Sequence, residues 1–144
     1  MTTRPRSKTV ATWLAVLGGT LGLHRFYLRG WRDGLAWLHP WPTLAGLVGV
    51  QRMRALGQDD VLAWLLIPLL GLMVAATMLA AIVHGLTSDE RWNARWNAGC
   101  APRRSGWLAV LGVVVALMVG AGALLATIAF AAERYFLVTA SPLS

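Results

Sequence analysis

The chain has 144 residues, of which 13% are charged and 57% apolar, with a mean hydropathy of +0.58. Soluble domains carry about 25% charge, so this composition excludes an ordinary water-covered surface and points to lipid as the solvent. The net charge of +7 falls in short Lys/Arg clusters between apolar runs, which excludes a groove-facing stripe for nucleic acid and favours anionic lipid headgroups.

Residues 1–8 read as a basic N-terminal tail carrying Arg4, Arg6 and Lys8. With the apolar run behind them they have the layout of a signal peptide. The run ends in cations and aromatic rings, without a small-x-small cleavage site, so it reads as a retained span. Val10 to Leu23 holds 14 residues, a rise of about 21 Å. Extended to Leu28 it holds 19 residues and rises about 28 Å, close to the roughly 30 Å hydrocarbon core. The lengths therefore predict one helix that carries His24 to Leu28 in its last turns. Gly18 and Gly22 form GxxxG within it, a spacing that lets two helix backbones approach closely.

The stretch GGTLGLHRFYLRGWRDG, Gly18 to Gly34, is the most informative in the chain. His24, Arg25, Phe26, Tyr27, Arg29, Trp31 and Arg32 crowd into it. Arg25, Arg29 and Arg32 share one helical face, and Arg29 and Asp33 are spaced for an i, i+4 pair. Arginines that snorkel to phosphates beside rings at headgroup level make an anchor. The same group also makes a docking surface for a lipid or another protein.

The second run, Gly34 to Val50, holds 17 residues and contains Pro40 and Pro42. Each proline lacks a backbone donor and pushes the preceding residue out of the α region, so a break is expected around His39 to Pro42. The third run, Val61 to Gly85, and the fourth, Trp107 to Ala132, hold 25 and 26 residues, enough to span with tilt. A kink is expected at Pro68. In the fourth run, Gly112, Ala116 and Gly120 repeat the small-xxx-small spacing.

Between these runs RWNA occurs twice in succession. Arg91 and Arg95, and Trp92 and Trp96, pair at i, i+4 on one helical face, and Thr87 with Glu90 has capping-box spacing. The segment 88–105 is expected to hold a short interfacial helix with Arg91, Trp92, Arg95 and Trp96 as anchors. Residues 133–144 read as a C-terminal tail.

The signatures of enzymes are missing: no HExxH, phosphate loop, dinucleotide fingerprint or supported nucleophile triad is present. Single histidines at the run boundaries do not make a metal site. The one cysteine, Cys100, excludes an internal disulfide. No Asp, Glu, Lys or Arg lies in the middle of a run, against a coupled pump.

The string GGTLGLHRFYLRG resembles the signature of the TM-two domain family, membrane modules of two helices joined by a short loop. Gly18, Gly19, Gly22, His24, Arg25, Phe26, Tyr27 and Leu28 fit its pattern, and Arg29 stands where the family usually has glycine. The likeness covers about Lys8 to Arg52. At the end of helix two, GLVGVQRMR replaces the family's frequent tryptophan and aspartate. DERWNARWN is similar to a stretch that follows the module in some bacterial members. The resemblance implies an integral membrane protein with no established enzymatic activity and with its first loop in the cytosol.

The expected fold is thus an all-α integral membrane protein with four transmembrane helices as two hairpins, residues 9–52 and 61–132, and an interfacial helix between spans three and four. The expected function is that of a non-enzymatic structural or interaction module in a bacterial inner membrane, without cofactor or metal. Its expected partners are membrane lipids and a membrane protein or a second copy. A small oligomeric solute or lipid transporter is the alternative. With four spans, Lys/Arg divide 7 to 6 between the two sides, too even for the positive-inside rule to orient the chain.

Overall fold

A computed structural model describes residues 5–140; residues 1–4, with Arg4 of the basic tail, and residues 141–144 lie outside it. All regular secondary structure among the described residues is helical. Helix α1 spans Lys8–Gly18, a 3-10 turn Gly19–Leu21, α2 Leu23–Arg29, α3 Gly34–Leu38, α4 Pro40–Leu56, α5 Val61–Leu86, α6 Asp89–Trp96 and α7 Trp107–Ala140.

Two helices are long and apolar enough to cross a membrane, α5 with 26 residues and α7 with 34. They form an antiparallel hairpin. Near one end the Gly85 backbone meets Val113, midway Gly120 faces Met78, and near the other end Gly71 abuts Thr127. A side chain at Gly120 would put its Cβ 2.7 Å from Met78 Cβ. The stripe Gly112, Ala116 and Gly120 therefore packs within this chain, against α1 and α5. Ala15, Met78, Ala81 and Ala116 form the buried centre of that junction. Lipid tails give no hydrophobic drive for helix association, so close backbone approach through small residues supplies the attraction.

Four spans are not seen among the described residues. Helix α1 holds 11 residues and α4 holds 17, rises of about 17 and 26 Å, and the two are not a hairpin. Thr12 of α1 lies by Gly85 and Gly19 by Thr77, so α1 runs antiparallel to the C-terminal half of α5. Gly46 and Gly49 of α4 pack on Leu70 and Leu66, antiparallel to its N-terminal half. Thus α1 and α4 point the same way and follow one another along α5. The Thr43 hydroxyl donates to the Thr20 carbonyl at 3.0 Å where they meet.

The reason lies in Gly22. The predicted continuous helix to Leu28 stops at Gly18, and Gly22 takes the left-handed conformation, φ 77°. A Cβ there would lie 2.5 Å from the Ala36 carbonyl oxygen. The chain then doubles back as α2, returning to the start of α1, where the Ser7 N–H donates to the Tyr27 hydroxyl at 2.7 Å. Gly18 and Gly22 consequently do not share a helix face.

Helices α3 and α4 part at His39, as expected, but His39 itself keeps α-region dihedrals and Trp41 lies within α4. Pro40 and Pro42 open α4, where the first turn has no intrahelical acceptor for their missing donors. Helix α5 continues through Pro68. The expected C-terminal tail is helical to Ala140, since Ala-Ala-Glu-Arg continues the run with good helix formers.

Candidate functional site

The return of α2 places the aromatic, basic stretch against α6, although Leu28 and Trp92, which pack together, are 64 residues apart in sequence. Trp92 is the pivot. It is 3% exposed, packed with Ala11 and Leu28, and its indole N–H donates to the Arg6 carbonyl at 3.0 Å. Trp92 therefore faces protein, not headgroups. Trp96 flanks the same cluster, with the Arg6 and Arg95 guanidinium groups 5.5 and 5.3 Å from its ring centre. The asparagines of the RWNA repeat matter as much. Asn97 accepts from the Arg6 N–H at 2.6 Å and donates to Asn93 at 2.9 Å, and Asn93 donates to the Arg103 carbonyl at 2.8 Å. The repeat folds the N-terminus and the loop before α7 onto α6.

The cap of α6 is Ser88, not Thr87. The Ser88 hydroxyl accepts from the Arg91 N–H, whereas the Thr87 hydroxyl donates back to the Val83 carbonyl.

Lys8 links the same elements. Its Nζ lies 2.8 Å from Asp89 Oδ1 and donates to the Thr87 carbonyl at 2.8 Å. Lys8 and Ser105 together hold the Asp89 carboxyl down to about 2. Since the folded value lies below the unfolded one, this contribution is complete above about pH 4 and is lost as pH falls towards 2. Acid titration in detergent, followed by the fluorescence of a label attached to Cys100 at neutral pH beforehand, should show the α6 segment loosening in that window. Asp89→Asn should loosen it at neutral pH and flatten the acid response.

In the knot, Asp33 pairs with Arg25 at 2.9 Å rather than with Arg29. Helix α2 ends at Arg29 and Gly30 turns the chain at φ 82°, so the i, i+4 register does not reach Asp33. Asp33 instead caps α3 through the Leu35 N–H at 3.2 Å, and the Arg25 guanidinium holds its carboxyl below the usual range. Phe26 stacks with Trp31 at 5.0 Å and with Trp37 at 5.2 Å. Trp31 and Trp37 are 75% and 54% exposed, so this patch is presented outward. Arg29 and Arg32 are also exposed.

All three histidines of the chain converge, which their separate positions in the sequence did not signal. The His24 ring lies 5.6 Å from His39 and 5.8 Å from His84, and His84 lies 5.9 Å from Trp92. Among the described residues no group of three or more His, Cys, Asp or Glu is arranged to hold a metal ion.

At the far end of α5, Arg52 pairs with Asp60 at 2.8 Å, which lowers the Asp60 carboxyl. Arg134 reaches the Gln58 carbonyl there and lies 5.3 Å from the Trp64 ring centre.

Two long apolar helices and an interface-like aromatic, basic end define a helical membrane protein. Residues 4–52 match the model of the TM2 domain. The chain carries a TM2 domain over α1 to α4, in agreement with its His24-Arg25-Phe26-Tyr27 spelling. No curated protein and no solved structure matches the chain.

Proposed function

We propose that the protein is a non-enzymatic structural or interaction module of a bacterial inner membrane, with α2, α6 and the N-terminus at the cytoplasmic surface. On this reading α5, α7 and the α1–α4 line are three paths across the bilayer. The observation that carries it is the charge partition. Among the described residues Arg6, Lys8, Arg25, Arg29, Arg32, Arg91, Arg95, Arg103 and Arg104 lie at the α6 end, and Arg52, Arg54 and Arg134 at the other. Nine against three is a bias that the positive-inside rule reads clearly.

The chemistry of the acids supports a non-catalytic role. Asp33, Asp60 and Asp89 are each held by a basic partner, so Asp89 is committed to Lys8 and Ser105 rather than to a reacting group. The prolines on which a transport path rests instead start α4. The DERWNARWN segment and the lack of Asn-x-Ser/Thr sequons support a bacterial setting.

The docking surface is the exposed Trp31 and Trp37 patch beside Arg29 and Arg32. A photo-crosslinking residue at position 31 in native membranes should yield a discrete protein adduct, a second copy or another membrane protein, that position 58 does not yield. Lipid adducts alone from position 31 would contradict a docking role.

A further inference from the structure

Between α2, the last turns of α5 and α6 lies a cavity of about 170 Å³. That is more than ten times the roughly 10–15 Å³ that one water requires. Its chemistry is one-sided. Arg25, Arg29, Arg91 and Arg95 line it, together with His24 and His84, and no carboxylate does so among the described residues. Asp33 answers only Arg25. No hydrogen bond or ion pair among the described residues holds the guanidinium groups of Arg29 and Arg91. His24 adds an independent sign. It is 4% exposed, yet its Nδ1 is buried without a hydrogen-bond partner among the described residues. A buried polar atom left in this state ordinarily has an unseen partner.

We infer that this cavity is a binding site for a phosphate-bearing anion, held by Arg29, Arg91 and Arg95 with His24 as a further donor. Guanidinium groups meet phosphate oxygens through paired, charge-assisted hydrogen bonds. The apolar part of the lining, Leu28, Val83 and Trp92, forms the dry wall of the cavity beside the exposed Arg29, Arg91 and Arg95. The cavity sits at the C-terminal end of α5, beside Thr87. A phospholipid headgroup and a free phosphate present the same oxygens to such a lining. The site requires neither the proposed sidedness nor a protein partner, so it stands or falls separately from them.

The test uses the full chain purified in an uncharged detergent. Three probes are titrated: inorganic phosphate, dihexanoyl phosphatidylglycerol, and dihexanoylglycerol, which lacks the phosphate. Binding is read from the histidine ring signals by NMR and from heat. At least one phosphate probe should bind and shift the His24 signals. Arg91→Gln with Arg95→Gln should weaken binding at least about tenfold. Arg103→Gln with Arg104→Gln, at the same end but outside the cavity, should stay within about twofold of the parent. Binding of phosphatidylglycerol alone marks a headgroup site, and binding of inorganic phosphate a soluble-anion site. Should the α6 double variant lose helicity, Arg29→Gln, exposed at the end of α2, replaces it. Failure of both phosphate probes would overturn the inference. Equal binding of dihexanoylglycerol, or parental binding by the arginine variants, would do the same.

Discussion

Trp92→Ala is expected to lower the stability of the protein by about 3–5 kcal/mol, the usual cost of removing a buried tryptophan. Trp92 is 3% exposed and touches Ala11 of α1 and Leu28 of α2. Its loss leaves a cavity where three elements meet. It also removes the indole donor from the Arg6 carbonyl. The segment before α1 would then be held to α6 through Asn97, Lys8 and the Arg6–Trp96 contact. Trp31→Ala, at a residue 75% exposed, should change stability by less than about 0.5 kcal/mol. Unfolding in mixed micelles, followed by helical circular dichroism, measures both. Equal effects from the two tryptophans would show that α6 does not clamp α1 and α2.

Gly22→Val is expected to disrupt the TM2 module more locally but as severely. Left-handed backbone costs a β-branched residue about 1–3 kcal/mol. The new Cβ would also lie 2.5 Å from the Ala36 carbonyl oxygen, so α3 has to move. Moving α3 shifts the His24–His39 contact and the Thr43–Thr20 hydrogen bond that joins α1 to α4. Gly34→Ala is the comparison, because nothing lies within 4 Å of its added Cβ. That variant should be neutral or slightly stabilising. The measurement is the same unfolding transition, with histidine ring signals reporting whether the three rings remain together.

These two sites also show where the sequence could be read and where it could not. The long apolar runs, the short helix at Asp89–Trp96, the break near His39 and the TM2 spelling follow from local pattern. So does the crowding of cations and rings at His24 to Arg32. The path of the chain does not. GxxxG at Gly18 and Gly22 is the same string whether it packs two helices or ends one, and only the left-handed φ at Gly22 distinguishes them. Helix length alone favoured continuation to Leu28, because an unbroken helix nearly fits the bilayer. Contacts such as Lys8 with Asp89 and Arg6 with Asn97 join residues 81 and 91 apart, and no local rule points to them. The histidine cluster is hidden for the same reason, since its members lie on α2, between α3 and α4, and on α5. The even 7 to 6 division of charge came from assuming four crossings. Once α1 and α4 run in one direction, the knot, the N-terminus and α6 fall together.

That arrangement is the central claim, and sidedness measures it most directly. Three single-cysteine proteins suffice: the native chain with Cys100, and Cys100→Ser combined with Arg6→Cys or with Gln58→Cys. Each is labelled with a membrane-impermeant thiol reagent in sealed vesicles of known orientation. Positions 6 and 100 should label from one side, the cytoplasmic one, and position 58 from the other. Labelling of position 6 together with position 58, opposite Cys100, would restore two antiparallel hairpins and contradict the account.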